Sequence, residues 1–422
     1  MSLYDWDFRA PTPSTMGDHD VPRASSRLEG RRIALLVTGG IAAMKAPEIA
    51  RGLRRHGASV TAFASEDALR YVARDALEWA TLGPVVSALT WKAEHLSDGA
   101  PFDAYLVAPA THSTIAKIAH GIGDTVVTST MISALGRMEQ GRCQVLIAPT
   151  MHGTMHNSQL VDNAQRLAAQ GVKMIAPRDA YGKHNLPDTE TLCIAVGRAL
   201  SASPLRGRKV MVTAGPTPVP IDGVRRIVNR FRGRLGAQVA EELIWRGADA
   251  ELILGDGAWR PKAPIPVTVT RTYDEYRDTV VARCKAGMWA GVFSAGVADY
   301  RPKVAVQGKI ASGQATYMLE MEPTEKVIDM AMAADPRMHT VAFKYLEGVS
   351  EEELIRVAGQ RLDRAGLVVA TRGEDTRGTD QRALMVRADG VTPIENKRAI
   401  ANAIADYLEG LTGNVAMMKA AE

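Results

Sequence analysis

The sequence predicts an α/β protein made of two doubly wound, Rossmann-like, three-layer domains. Short apolar strands alternate with helix-forming stretches along the chain, which is typical of βαβ units and of a parallel sheet covered on both faces. The alternation pauses in a Ser/Pro/Arg-rich stretch and then restarts, and 422 residues exceed one ordinary core. We therefore expect an arm at 1–29, a domain at 30–197, a linker at 198–208, a second domain at 209–412 and a tail at 413–422.

Composition excludes several classes of protein. Hydrophobic residues make up 46% of the chain and charged residues 23%, without an apolar run long enough to span a membrane. The N-terminus lacks an apolar signal core, and the three cysteines are widely spaced and match no metal motif. We expect a cytoplasmic protein with no membrane partner.

The net charge of +4 is mild, although arginines cluster in VRRIVNRFRGRLG, Val224 to Gly236. Few aromatic residues are interleaved with them, so nucleic acid is not an expected partner. Such a loop better suits a phosphorylated small molecule.

The first strand of the first domain ends in the glycine pair of VTGGIAAMK. Such a pair lets the backbone approach an anion, and the N-terminus of the following helix adds N–H donors. The motif is neither a dinucleotide fingerprint nor a P-loop, and a tight turn that needs glycine is the alternative interpretation. Ser65 ends the next strand, so its hydroxyl is expected at the same anion, which we interpret as a mononucleotide phosphate.

The second domain opens in the same way as the first. VTGG, Val37 to Gly40, matches VTAG, Val212 to Gly215. The second unit carries about 15 extra residues before its next strand, and these hold the arginine cluster. Each domain is therefore expected to bind a ligand at the carboxyl ends of its strands.

Two further strand ends of the first domain carry polar residues, in APATHSTIAKIA and APTMHGTMHN. With the glycine pair, these segments resemble the flavin-containing cysteine decarboxylases. From about Leu28 to Leu408 the chain resembles the bifunctional phosphopantothenoylcysteine decarboxylase/phosphopantothenate–cysteine ligases of coenzyme A biosynthesis, and most closely the archaeal-type members. With Ser65 included, the predicted FMN-binding residues are Thr38, Gly39, Gly40, Ile41, Ser65, Pro109, Ala110, Thr111, His112 and Ser113.

The resemblance also implies a catalytic histidine, which matches His95; without the resemblance His95 would be interpreted as a loop histidine. Many members have an asparagine that holds the substrate carboxylate. His152 stands at that position in this chain, and archaeal-type members also have a histidine there. Bacterial members carry a cysteine on a flap over the substrate. The corresponding segment, PRDAYGKHNLPD, has none; it places Lys183 there, and Cys193 beyond it is predicted to lie in a helix core.

In the second domain TAGPTPVPIDGVRRIVN resembles the ligase opening, and SAGVADYRP, GKIASG and AFKYL resemble the segments that hold the cytosine of CTP. The resemblance implies catalytic roles for Asn229 and Lys309. It implies substrate and nucleotide binding by Gly215, Thr217, Arg225, Arg232, Gly233, Asp299, Phe343 and Lys397. The alternative is a turn or N-cap role for Asp299 and a solvated face for Lys309 and the arginines.

The implied function is ligation of 4'-phosphopantothenate with cysteine through an acyl-cytidylate, followed by FMN-dependent decarboxylation of the cysteinyl group. Mg2+ is an expected cofactor of the ligase step, because that chemistry depends on charge neutralisation. A homo-oligomer based on trimers, up to a dodecamer, is implied as well. The alternatives are a diverged paralogue, with one half inactive or acting on another acid or thiol, and a flavin-binding regulatory subunit.

Overall fold

The structure is a computed structural model that describes residues 6–96, 98–378 and 380–419. Its contacts divide the chain into two units between Leu200 and Ser201. The boundary lies inside the predicted linker, because the last helix of the first unit continues to Leu200. Residues 201–208 belong to the second unit, where Ser201 donates a hydrogen bond to the Arg246 carbonyl and Leu205 is fully buried.

The first unit alternates strands and helices as predicted. Its strands are β1 Arg32–Val37, β2 Ser59–Ala64, β3 Ala104–Ala110, β4 Gln144–Pro149, β5 Met151–His152, β6 Lys173–Met174, β7 Arg178–Ala180 and β8 Lys183–Asn185. Its α-helices are α1 Ala46–Arg55, α2 Arg74–Thr81, α3 His112–Ala119, α4 Val126–Glu139, α5 Ser158–Ala169 and α6 Thr189–Leu200.

Five of these strands form a parallel sheet in the order β2-β1-β3-β4-β6. Strands β1 and β3 are buried along almost their whole length, since α1 packs with α2 and α6 while α3 packs with α4 and α5. The chain reverses its direction of travel across the sheet between β1 and β3. In open α/β sheets ligands bind at the carboxyl ends of the strands at such a switch point.

The second unit is also α/β. Its strands are β9 Lys209–Ala214, β10 Val219–Pro220, β11 Arg226–Ile227, β12 Asp249–Gly255, β13 Val267–Thr270, β14 Ala290–Phe293, β15 Tyr300–Pro302, β16 Met321–Pro323, β17 His339–Leu346, β18 Leu367–Arg372, β19 Thr376–Arg377, β20 Asp380–Gln381, β21 Ala383–Arg387 and β22 Gly390–Ile394. Its α-helices are α7 Arg234–Trp245, α8 Tyr273–Lys285, α9 Val327–Ala334, α10 Glu351–Gly359 and α11 Lys397–Lys419.

The main sheet of the second unit has the order β13-β12-β9-β14-β17-β18-β21-β22. The first six strands are parallel, and the last two form an antiparallel edge. Numbered along the chain, the six parallel strands have the doubly wound order 3-2-1-4-5-6, so the switch point lies between β9 and β14. The predicted fold class is therefore confirmed for both units.

The two ends of the chain differ from the predicted arm and tail. Leu28, at the end of the predicted arm, is fully buried, and the Ala24 amide donates to the Arg55 carbonyl of α1. Residues 1–5 of the predicted arm and 420–422 of the predicted tail lie outside the described residues. Helix α11 continues through the start of the predicted tail to Lys419.

Arg246 joins α7 to α11 in the second unit. Its guanidinium donates to Glu242 at 2.9 Å and to Asp406 of α11 at 2.6 Å, and Glu409 lies 3.2 Å away. These carboxylates hold the pKa of Arg246 above its usual value although burial opposes this. Arg246→Met would leave the buried Glu242 without this guanidinium. We expect it to lower the free energy of unfolding of the second unit by about 2–4 kcal/mol, measured by urea denaturation.

Arg356→Met is the matched control, because Arg356 forms an exposed ion pair with Glu353 one turn away. Exposed pairs contribute little to stability, so no measurable shift of the urea midpoint is expected. Equal shifts for the two variants would contradict the role given to Arg246.

Candidate active sites at the two sheet edges

A cavity of about 650 Å³ lies at the carboxyl ends of β1, β2, β3 and β4 in the first unit. We call it the N-terminal cavity. Its volume falls within the range of about 300–1,000 Å³ that is usual for small-molecule sites. Of the predicted residues, it is lined by Thr38, Gly39, Gly40, Ile41, Ser65, Pro109, Thr111, His112, Ser113, His152 and Lys183.

The glycine pair of this cavity has a steric basis. A Cβ at Gly39 would overlap the Asp67 side chain and lie 3.2 Å from the Asp67 carbonyl carbon. A Cβ at Gly40 would meet only the Thr111 Cγ2, at 3.6 Å. Gly39 is thus required by close packing of the turn that follows β2, whereas Gly40 leaves open space at the cavity wall. The pair therefore allows close packing of the turn and leaves its backbone accessible to an anion. The two interpretations, a tight turn that needs glycine and an anion-binding turn, do not exclude each other.

Threonines fix the other walls. Buried Thr38 donates to the Pro109 carbonyl at 2.8 Å and accepts from the Thr111 amide at 3.2 Å, which ties the end of β1 to the end of β3. Thr111 caps α3, and Thr125 forms a capping box at the start of α4. Both helix starts line the cavity, so their N-terminal dipoles favour an anion there.

The polar lining is mainly cationic. Lys45, Lys117, Arg178 and Lys183 line the cavity, and Lys117 is paired with Asp124 at 2.7 Å. His112 and His152 are fixed by hydrogen bonds, the first to Asn157 at 3.3 Å and the second to Thr154 at 2.9 Å. This environment suits a phosphorylated, carboxylate-bearing ligand.

The thiols lie elsewhere. Cys193 is fully buried in α6, which confirms its predicted place in a helix core. Burial raises the pKa of Cys143 and of Cys284 to about 11. Among the described residues, no cysteine lines the N-terminal cavity.

Two predicted residues of the first unit do not line the N-terminal cavity. His95 lies half-buried in the loop before β3, and its Nδ1 has no hydrogen-bond partner within the described part of the chain. Ala110 is fully buried in β3, where it pairs with Pro149. Ala110 thus packs beneath the site, and its contact with a ligand stays a prediction.

The second unit has a cavity of about 580 Å³ at the start of α7, which we call the larger C-terminal cavity. Gly233 precedes α7 with a φ of 71°, and a Cβ there would lie 2.5 Å from the Gly215 amide nitrogen. The sharp turn directs the N-terminus of α7 into the cavity. Four cationic side chains also line it: Arg232, Arg234, Lys344 and Lys397.

Burial disfavours the charged form of two of these lysines. Burial, followed by nearby Arg361, lowers the pKa of Lys344. Burial likewise lowers the pKa of Lys397, and Arg234 adds to the effect. A bound anion would favour the charged forms of both lysines, so the cavity suits a phosphate-bearing ligand.

A smaller C-terminal cavity of about 330 Å³ adjoins the larger one and shares Phe343 with it. Asn229 lines it and donates to the Gly296 carbonyl at 2.9 Å. Asp299 also lines it, in an ion pair with Lys326 at 2.6 Å. The structure therefore brings Asn229, Asp299 and Phe343 together, although Asn229 and Phe343 are 114 positions apart in the sequence.

Other predicted residues of the second unit lie behind or beside these cavities. Gly215 packs behind Gly233, and the buried Thr217 hydroxyl accepts from the Ala298 amide at 2.8 Å. Arg225 and Lys309 do not line either C-terminal cavity. Both lie on loops joined by Asp222, so direct ligand contact by them stays a prediction.

The chain matches two family models: Flavoprotein over residues 22–200, and DNA/pantothenate metabolism flavoprotein C-terminal domain over residues 205–411. The coenzyme A biosynthesis bifunctional protein CoaBC of Thermococcus kodakarensis is 36% identical over 400 residues, which cover 91% of this chain and 96% of that relative. The chain belongs to the CoaBC family.

CoaBC of Mycolicibacterium smegmatis is 32% identical over 371 residues, which cover 82% of this chain and 88% of the relative. A crystal structure of the DNA/pantothenate metabolism flavoprotein from Streptococcus pneumoniae aligns with 49% of this chain and 100% of that chain, with 22% identity and a TM-score of 0.44. The identity to the Thermococcus kodakarensis relative and the two family models confirm the predicted family. In the described part of the chain, no helix has the length and apolarity to cross a membrane.

Sequence reasoning missed several residues that line the cavities of this CoaBC family member. In the first unit they are Lys45, Asp67, Thr125, Thr128, Arg178 and His184; in the second they are Trp259, Lys326, Lys344 and Tyr345. Thr125 could have been found as a cap before VVTST, and Lys344 from its place at a strand end. Trp259 gave no local signal, because its place depends on the turn after β12.

Asp222 holds the loops of Arg225 and Lys309 together. Its buried carboxylate accepts from the Arg225 and Ile310 amides at 2.6 and 3.0 Å and pairs with the Arg225 guanidinium at 2.6 Å. These donors hold the pKa of Asp222 well below its usual value. The stabilisation is therefore complete above the unfolded pKa of about 3.9 and is lost as the pH falls towards the folded value.

Asp222→Ala removes this acceptor, so we expect faster proteolysis of the 303–312 loop and a loss of acid dependence in that rate as the pH falls below about 4. Limited proteolysis followed by mass spectrometry measures both. Asp335→Ala is the control, since Asp335 accepts from the Arg337 amide away from this loop. Unchanged cleavage in Asp222→Ala would contradict the role of the carboxylate.

Proposed function

We propose that the chain catalyses two consecutive steps of coenzyme A biosynthesis. The second unit joins 4'-phosphopantothenate to cysteine with CTP, and the first unit decarboxylates the product with FMN. The observation that carries this proposal is that a chain of the CoaBC family has a cavity at the switch point of each of its two doubly wound sheets.

The residues of the N-terminal cavity fit FMN. The uncrowded backbone at Gly40, the hydroxyl of Ser65 and the capped starts of α3 and α4 would together form a phosphate site. When bound, FMN supplies the transient oxidation of the cysteinyl group that makes loss of CO2 possible. The protein's own part is to orient the substrate: His152 and Lys183, which line the cavity, would bind its carboxylate and phosphate.

The residues of the C-terminal cavities fit a nucleotide and an acyl phosphate. Arg232, Lys397 and the α7 N-terminus at Gly233 would bind phosphates, while Asp299 and Phe343 would hold the base. Asn229 would position the acyl-cytidylate. Mg2+ would be bound chiefly through substrate phosphates, since the described residues contain no group of three or more metal-ligating side chains.

A homo-oligomer is part of the proposal, with trimers of the first unit up to a dodecamer. The unpartnered Nδ1 of His95, away from the N-terminal cavity of its own chain, supports a site that a second copy completes. Multi-angle light scattering tests this, and a monomeric active enzyme would contradict it. The buried free thiols support a reducing cytoplasmic location.

Purified protein supplied with 4'-phosphopantothenate, cysteine and CTP tests the function directly. We expect pyrophosphate release, then CO2 release in equal amount, together with the absorbance of bound flavin. ATP in place of CTP reports nucleotide preference. Pyrophosphate without CO2 would restrict the function to the ligase, and neither product would contradict both assignments.

A further inference from the structure

A hairpin beside the N-terminal cavity carries a chain of hydrogen-bonded acid–base groups that the residues assigned above do not include. Strands β7 and β8 pair with each other, and β8 also pairs with β5. The two-residue turn between them, Tyr181 and Gly182, has positive φ at both positions, as a tight hairpin requires.

The register of the hairpin places Asp179 directly opposite His184. Their side chains therefore share one face, and Asp179 lies 2.6 Å from the His184 Nδ1. The other ring nitrogen, Nε2, lies 2.8 Å from the Nδ1 of His156, which follows the short helical turn after β5. Asp179, His184 and His156 thus form one continuous chain.

The three groups differ in their exposure. The Asp179 side chain is 71% exposed, whereas that of His184 is only 20% exposed and contributes to the cavity wall. His156 is exposed and lies next to cavity-lining Met155. The hydrogen-bonded series Asp179–His184–His156 therefore connects bulk solvent with the wall of the cavity.

The tautomers follow from the partners. The Asp179 carboxylate accepts, so it keeps a proton on the His184 Nδ1. The Nε2 then accepts the hydrogen bond of the His156 Nδ1–H, and it is the nitrogen at which His184 takes up a proton; the proton passes to the substrate when the substrate replaces His156 at this nitrogen. His156 in turn can be reloaded from water at its exposed Nε2.

Decarboxylation needs such a supply of protons. In the net reaction the bond between the carbon and the carboxylate breaks, CO2 leaves, and the electron pair remains in a new C–H bond. One proton must enter the cavity for each CO2 that leaves. A histidine is suited to deliver it, because an imidazole nitrogen can both take up and release a proton.

We propose that His184 delivers this proton, that His156 reloads it from solvent, and that Asp179 positions the ring and fixes its tautomer. This inference rests on the proposed decarboxylation. Arg178 and Lys183 on the same sheet, His152 on β5 and His112 at the start of α3 are the other charged or titratable groups around the chain. They remain available for binding the anionic substrate.

The test compares His184→Gln, His156→Ala and the matched control His120→Gln, whose ring bonds Asn163 away from the cavity lining. With 4'-phosphopantothenoylcysteine as substrate, His184→Gln is expected to slow CO2 release by about 100-fold while flavin absorbance and thermal unfolding stay unchanged. His120→Gln is expected to match the wild type. Equal rates for His184→Gln and the wild type would overturn the proposal.

Free imidazole separates a proton carrier from a merely structural residue. Added imidazole is expected to restore CO2 release in His156→Ala, because a soluble carrier can replace a residue that is reloaded from water. A slow variant that imidazole does not rescue would show that His156 acts structurally, against the proposal.

A wild-type protein that releases no CO2 would defeat the proposed function rather than the relay alone. Nitrogen-15 spectra of labelled histidines then decide the relay without turnover. They are expected to show His184 protonated at Nδ1, with that signal altered by Asp179→Asn. A His184 protonated at Nε2 alone, unaffected by Asp179→Asn, would overturn the relay.

Discussion

Gly233→Ala is expected to unfold the start of α7 and to abolish pyrophosphate release. Gly233 has a φ of 71°, which costs an alanine about 1 kcal/mol. The new Cβ would also lie 2.5 Å from the Gly215 nitrogen and 3.1 Å from the Ala214 carbonyl carbon. Both neighbours are backbone that cannot move without displacing the end of β9. We expect a loss of about 3 kcal/mol or more in the free energy of unfolding of the second unit, measured by urea denaturation.

Gly257→Ala is the matched control for this prediction. Gly257 lines the same cavity with a φ of 79°, but its nearest neighbour for a Cβ is the Arg232 Nη1 at 4.0 Å. An alanine at this position therefore has the strained backbone conformation but no steric overlap. We expect Gly257→Ala to lower the free energy of unfolding of the second unit by about 1 kcal/mol. Similar losses for the two variants would show that overlap with Gly215 is not what makes Gly233 necessary.

Gly39→Ala is expected to weaken flavin binding by the first unit about tenfold. The added Cβ would overlap Asp67 and force the 65–68 turn away from the end of β1. Ser65 would move with this turn, because its hydroxyl accepts from the Ala68 amide at 3.2 Å. A displacement that costs about 1.4 kcal/mol of binding energy would weaken FMN binding about tenfold. Flavin absorbance after dialysis and titration with FMN measure the effect.

Gly40→Ala separates packing from ligand contact. Gly40 has an extended backbone, and its Cβ would meet only Thr111 at an ordinary distance. The flavin-free Gly40→Ala protein should therefore unfold at the wild-type temperature, whereas flavin-free Gly39→Ala should unfold at a lower one. Retention of both flavin and thermal stability in Gly39→Ala would refute the steric account of that glycine.

The local pattern of the sequence accounts for much of the fold. Alternating apolar strands and helices, with turn residues between them, predicted two doubly wound units, and the repeated VTGG and VTAG openings predicted matching strand ends. Thr38 and Thr213 do correspond, because each hydroxyl accepts a hydrogen bond from a backbone amide just after the neighbouring strand. The donor to Thr38 is the Thr111 amide, and the donor to Thr213 is the Ala295 amide. These features depend on residues close together in the chain and on general sheet geometry.

The order of the motifs also predicted many of the residues that line the cavities, but not which predicted residues lie outside them. The glycine pair and its polar neighbours do line the N-terminal cavity, and Asn229, Asp299 and Phe343 do meet. The same motifs could not tell that Asp222 holds the loop of Lys309 through the Ile310 amide, because that contact depends on how two loops fold back on each other. His95 was predicted from its motif alone, and a single chain does not bring it to the cavity.

The sequence by itself determined the family, the alternation of elements and the residue types at each strand end, since these are local properties. Only the tertiary structure decided which glycine is required by packing, which cations crowd one cavity, and that Asp179, His184 and His156 form a chain. The physical reason is range: periodicity and capping act over a few residues, whereas steric overlap, burial and hydrogen bonding join residues that sheet order and hairpin register bring together.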